Sequence, residues 1–60
     1  MIHLKFGSAP SNNVVLSHPS VSPFHLEIVQ DQNGFFVLTD LNSTYGTTVN
    51  GYRIQGMVQL

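Results

Sequence analysis

Asp40-Leu41-Asn42-Ser43-Thr44-Tyr45-Gly46-Thr47-Thr48-Val49-Asn50-Gly51-Tyr52-Arg53-Ile54 is the stretch on which the fold turns. Its second half holds two short runs, Thr47-Thr48-Val49 and Tyr52-Arg53-Ile54, separated only by Asn50-Gly51. Threonine, valine, tyrosine and isoleucine favour a pleated backbone. Asparagine and glycine both accept a positive φ, which a two-residue hairpin turn demands at its centre. The pattern predicts a tight antiparallel hairpin over residues 47–54. Residues 42–46 before it read as a polar loop.

The same grammar repeats toward the N-terminus. Phe24, Leu26 and Ile28 alternate with His25 and Glu27, the period-2 signature of a half-buried strand. Asn33-Gly34 predicts a second tight hairpin, with residues 35–38 as its return strand. Residues 2–6 alternate and are expected to form a strand, and Val14-Val15-Leu16 is a very short one. Residues 7–13 and 17–23 read as loops, the second held by Pro19 and Pro23. Residues 57–60 begin another apolar run. No stretch sustains a helical period and no segment repeats, so the chain is expected to be all-β, a sandwich or part of one.

Composition narrows the functional classes. Sixty residues make one domain, 1–60, the ceiling. A chain this short buries only about 60% of its unfolded surface. It has no cysteine, which excludes disulfides and thiolate metal sites. Lys5 and Arg53 are the only cations against Glu27, Asp31 and Asp40. That balance argues against nucleic acid or an anionic membrane as partner, since both need clustered Lys and Arg. No apolar run approaches the roughly 20 residues of a membrane span. Met1-Ile2-His3-Leu4-Lys5 lacks the features of a signal peptide, so a cytoplasmic location is expected.

Three loop segments carry a family resemblance together. They are Gly7-Ser8-Ala9-Pro10-Ser11-Asn12-Asn13-Val14-Val15-Leu16, then Val21-Ser22-Pro23-Phe24-His25, then residues 40–51 of the opening stretch. In order and spacing they resemble the forkhead-associated (FHA) domain from Phe6 to about Ile54. That family reads Gly-Arg followed by Asn-Asp-Ile-Val-Leu, then Val-Ser-Arg-x-His, then Asp-Leu-Gly-Ser-Thr-Asn-Gly-Thr-x-Val-Asn-Gly. The resemblance implies an FHA-like β-sandwich whose loops, here 7–13, 17–25 and 42–47, bind a phosphothreonine peptide. It also implies further C-terminal strands, so the domain is expected to be incomplete at that end. An open sheet edge, or strand pairing with another chain, is expected near residues 57–60.

Carried over residue by residue, Ser22 stands at the family's phosphate-binding serine. Thr44 stands at a second position that meets the phosphate, and Ser8 and Tyr45 occupy two further binding positions. His25 stands at a histidine that braces the loops without touching ligand. Gly7, Gly46, Asn50 and Gly51 read as architectural. Three positions depart from the pattern: Ser8 replaces the Gly-Arg arginine, Pro23 the Val-Ser-Arg arginine, and Tyr45 the asparagine before Gly46. A charge-assisted hydrogen bond contributes roughly 1.5–3 kcal/mol, so the missing guanidinium at Ser8 matters most. A degenerate FHA scaffold making phosphorylation-independent contacts, with Tyr45 as an aromatic anchor, stays open beside the phosphopeptide reading. So does Ser22 as an ordinary turn serine.

Other chemistries have weaker support. Ser22, His25 and Asp40 contain the residue types of a hydrolytic triad, but no nucleophile elbow surrounds them, so no enzyme activity is expected. His3, His18 and His25 lie 15 and 7 residues apart, which matches no zinc signature. No cofactor or metal is expected.

Overall fold

The computed structural model describes residues 2–60. Among them the chain folds as seven short strands and no helix. β1 (His3–Gly7), β2 (Val14–Val15), β3 (Leu26–Gln30), β4 (Phe36–Asp40) and β7 (Met57–Gln59) form one sheet in the order β2-β1-β3-β4-β7. β5 (Thr47–Val49) and β6 (Tyr52–Ile54) form a second, two-stranded sheet. β1 and β2 run parallel, and all other pairs are antiparallel. The all-β architecture is the one the turn-punctuated sequence predicts.

The hairpin of β5 and β6 follows its residues closely. Asn50 and Gly51 take φ of 52° and 83°, and Val49 faces Tyr52 across the turn. Both central residues are left-handed, as a type I′ turn requires.

The turn between β3 and β4 differs from the predicted two-residue hairpin. Only Gly34 has a positive φ there, and Asn33 does not. The Gly34 N–H donates to the Asp31 carbonyl, and the Asp31 N–H donates to the Phe35 carbonyl. The Asp31 carboxylate also accepts from the N–H groups of Asn33 and Phe35 at 2.9 and 3.0 Å. The result is a three-residue loop of the type that ends in a left-handed glycine. An aspartate two residues ahead of Asn33 moved the turn.

Strand ends differ for similar reasons. Gly7 belongs to β1 because it pairs with Val15, so the loop starts one residue later than predicted. The predicted alternation fails at the start of β3. His25 is buried at 8% exposure while Phe24 is half exposed at 50%. Hydrogen bonds pull the imidazole inward and the preceding phenylalanine turns out.

Apolar burial is slight. Leu38, at 7% exposure, is the one buried hydrophobe among the described residues. It lies opposite Ile28 on β3 and Val58 on β7, at the middle of the sheet. The Cα atoms span 35 × 26 × 16 Å, a slab too thin for a deep core. β2 and β7 are the outer strands of the sheet among the described residues. Among the described residues no helix is long and apolar enough to cross a membrane.

Leu38→Ala is expected to cost about 2–5 kcal/mol, as large-to-small changes in a core do. That is most or all of what a chain this small retains. Urea unfolding followed by circular dichroism should show a cooperative transition in the wild type and none, or one at far lower urea, in the variant. Near-equal midpoints would mean that the apolar centre lies elsewhere.

Candidate functional site

The three loops meet at one end of the large sheet. Loop 7–13 docks on loop 17–25 by backbone bonds: Ser8 N–H to Ser22 carbonyl, 3.0 Å, and Ala9 N–H to Pro23 carbonyl, 3.1 Å. Gly7 allows this approach. A Cβ there would overlap the Pro23 carbonyl oxygen and sit 2.9 Å from Asn12 Nδ2. Asn12 is buried, and its amide donates to the carbonyls of Ala9 and Pro23 at 2.8 and 2.7 Å. In sequence Asn12 is one polar residue of the loop 7–13. Its part in joining two loops depends on Pro23, eleven residues away.

His25 ties loop 17–25 to loop 42–47. Its Nδ1 accepts the Ser22 N–H at 3.0 Å, and its Nε2 lies 3.0 Å from the Gly46 carbonyl. The first bond needs a lone pair on Nδ1, so the proton sits on Nε2 and is donated to Gly46. Both ring nitrogens are committed to backbone.

That brace brings Ser22 and Thr44 together. The Thr44 N–H donates to Ser22 Oγ at 3.0 Å, and the two hydroxyl oxygens are 3.4 Å apart. A hydroxyl contact that long is weak, so both protons can reorient toward an incoming acceptor. Ser8 is half-buried with its N–H on the Ser22 carbonyl, and Tyr45 projects at 70% exposure. Gly46 has φ of 83°, a backbone state suited to glycine. Asn42, where the family has glycine, takes φ of 57°, which asparagine tolerates.

Loop 42–47 is locked from beneath by Asp40. Its carboxylate accepts the hydroxyls of Ser43 and Thr47, at 2.5 and 2.8 Å, and the Ser43 N–H at 3.3 Å. Burial pushes this carboxyl up, but those three donors outweigh it, and His25 acts in the same direction when charged. The net result holds Asp40 below its ordinary value of 3.8.

The triad residues are therefore not linked as a relay. A serine nucleophile needs its hydroxyl bonded to the base. Here His25 meets the Ser22 backbone, and Asp40 is occupied by Ser43 and Thr47. The histidines scatter likewise: His3 pairs with Glu27 at 2.7 Å and His18 with Ser20 at 2.7 Å. Among the described residues no group of three potential ligands is placed to hold a metal.

Loops that present hydroxyls and backbone groups from one end of a β scaffold define a recognition module. The FHA domain model matches residues 4–60, so the chain belongs to the FHA domain family. It is 44% identical over 54 residues to the FHA domain-containing protein PS1 of Arabidopsis thaliana, covering 87% of this chain and 4% of that protein. The FHA domain of the CT664 protein from Chlamydia trachomatis superposes with a TM-score of 0.90 at 30% identity, over 98% of this chain and 60% of that one. Mycobacterium tuberculosis EmbR, solved in complex with a low-affinity phosphopeptide, superposes with a TM-score of 0.89 at 34% identity, over 97% and 15%. The chain thus spans less than two thirds of each of these relatives.

Asp40 makes a pH prediction. A carboxyl depressed in the folded state contributes stability that is present above its unfolded value and lost as pH falls through the folded one. Wild-type stability should therefore fall on acidification below about 3.8, the ordinary value. Asp40→Asn should start roughly 1.5–3 kcal/mol less stable at neutral pH, the size of a charge-assisted bond, and lose less on acidification. Urea midpoints of both proteins across the acid range check this. Parallel curves would mean that Asp40 does not couple its charge to folding.

Proposed function

We propose that this FHA domain binds a protein or peptide carrying phosphothreonine through loops 7–13, 17–25 and 42–47. The observation that carries the reading is the convergence of Ser22 and Thr44, with the Thr44 N–H 3.0 Å from Ser22 Oγ across 22 residues of chain. Phosphothreonine brings about −1.5 to −2 charges and three strong acceptor oxygens. A receptor must replace lost water with donors, and the two hydroxyls supply them. Ser8 adds a third hydroxyl at the rim, and Tyr45 a broad contact for the peptide beside the phosphate. His25, Gly7, Gly46, Asn50 and Gly51 hold the frame. The phosphopeptide on EmbR supports the ligand class. A reader of this kind shares a compartment with the kinase that makes its ligand, and the cytoplasm is the proposed setting.

A second reading has its own observation. Tyr45 is 70% exposed where the family places asparagine, and Ser8 stands where it places arginine. An exposed aromatic suits a phosphorylation-independent contact.

A backbone NMR titration with a degenerate phosphothreonine peptide pool and its unphosphorylated twin separates the two. The phosphorylated pool alone should shift Ser8, Ser22, Thr44 and Tyr45. Ser22→Ala and Thr44→Val should each weaken binding about tenfold to a hundredfold, the loss of one hydrogen bond to a charged group. Equal response to both pools would reject phosphate recognition and favour the Tyr45 contact.

A further inference from the structure

Arg53 lies on β6, outside the three motif loops, yet its guanidinium packs against Gly46. A Cβ at position 46 would sit 2.7, 3.0 and 3.1 Å from Arg53 Nε, Cζ and Nη2. Three planar atoms at nearly one distance place the guanidinium broadside on the backbone there. Gly46 is the residue whose carbonyl His25 holds, two residues beyond Thr44. Among the described residues Arg53 makes no ion pair, and His3 with Glu27 is the one pair of that kind.

Arg53 also borders an open cleft of about 310 Å³, with Asn42, Ser43, Gln55 and Gly56 on its other sides. Asp40 lines this cleft too; bonded to Ser43 and Thr47 it keeps its negative charge, so an incoming carboxylate depends on Arg53 to offset it. Ser22 and Thr44 do not line it, whereas Ser43, next to Thr44 in the chain, does, so it is distinct from the place where those two hydroxyls meet. The volume is at the low end for ligand pockets and suits a single side chain. A guanidinium already laid flat on backbone loses little freedom on pairing, and its fork matches a carboxylate.

We propose that Arg53 and this cleft form a specificity subsite that takes one carboxylate side chain of the bound peptide, next in space to its phosphothreonine. The subsite rests on the phosphothreonine reading. It makes the domain selective for acidic flanking sequence and places its one guanidinium on a flank of the ligand.

The test is a fluorescence-anisotropy scan of the 60-residue chain. Labelled phosphothreonine peptides with neutral flanks carry one glutamate, moved through each position on either side, with glutamine in its place as control. Wild type, Arg53→Gln and Arg53→Lys are compared, and thermal unfolding of each reports folding. In wild type one glutamate register should tighten binding about two- to fivefold over glutamine, the upper range of an exposed ion pair. That gain should vanish in Arg53→Gln and shrink in Arg53→Lys, while the glutamine peptide binds all three alike. A gain that survives in Arg53→Gln, or no gain at any register while the phosphopeptides still bind, overturns the subsite and leaves phosphothreonine binding standing. Failure of every phosphorylated peptide to bind rejects both. If Arg53→Gln fails to fold, the glutamate-to-glutamine contrast in Arg53→Lys decides: an undiminished gain overturns the subsite.

Discussion

One imidazole holds the recognition end of this protein together. His25 takes the Ser22 N–H on one nitrogen and gives a proton to the Gly46 carbonyl from the other, each over 3.0 Å. A neutral histidine with its proton on Nε2 accepts on one side of its ring and donates on the other, in a single plane. Loop 17–25 carries Ser22, and loop 42–47 carries Thr44. They come from different strands, and the ring spans the gap. At 8% exposure it is shielded from water, where a hydrogen bond is stronger and an unpaired group more costly.

The brace matters because apolar packing is scarce. With Leu38 as the buried hydrophobe, the loops cannot rely on a deep core to set their positions. Polar bonds perform that task in sequence. Gly7 lets loop 7–13 approach, Asn12 clamps it to Pro23, His25 joins the next pair of loops, and Asp40 gathers Ser43 and Thr47 beneath. Each residue bonds a partner that another has already placed.

The same economy governs charge. Two cations serve the whole chain, and they sit on different strands, Lys5 on β1 and Arg53 on β6. At the loops the hydroxyls of Ser22 and Thr44, and no cation of a loop motif, are what the chain presents. Recognition at this end then depends on geometry more than on field strength, since donors set in place work over short range while screened charges do not. Arg53 resting on Gly46 is the exception, a guanidinium brought to the loops by a strand rather than by a loop motif.

The residues alone determined what depends on backbone preference over a few positions. Asn50-Gly51 announces its turn because few other pairs accept two positive φ values, and the loop boundaries follow Pro, Gly and Asn. Motif order named Ser22, His25 and Thr44 as one constellation. Local preference also misled: Asn33-Gly34 looked like the other turn, but Asp31 bonded two N–H groups and widened it. What only the tertiary structure decided lies across long separations. Which nitrogen of His25 meets which loop, and why Phe24 faces out while His25 faces in, depend on strand register. Turn geometry is written in one residue's own φ, whereas a contact between residues 21 or 22 apart exists only once the sheet has placed both.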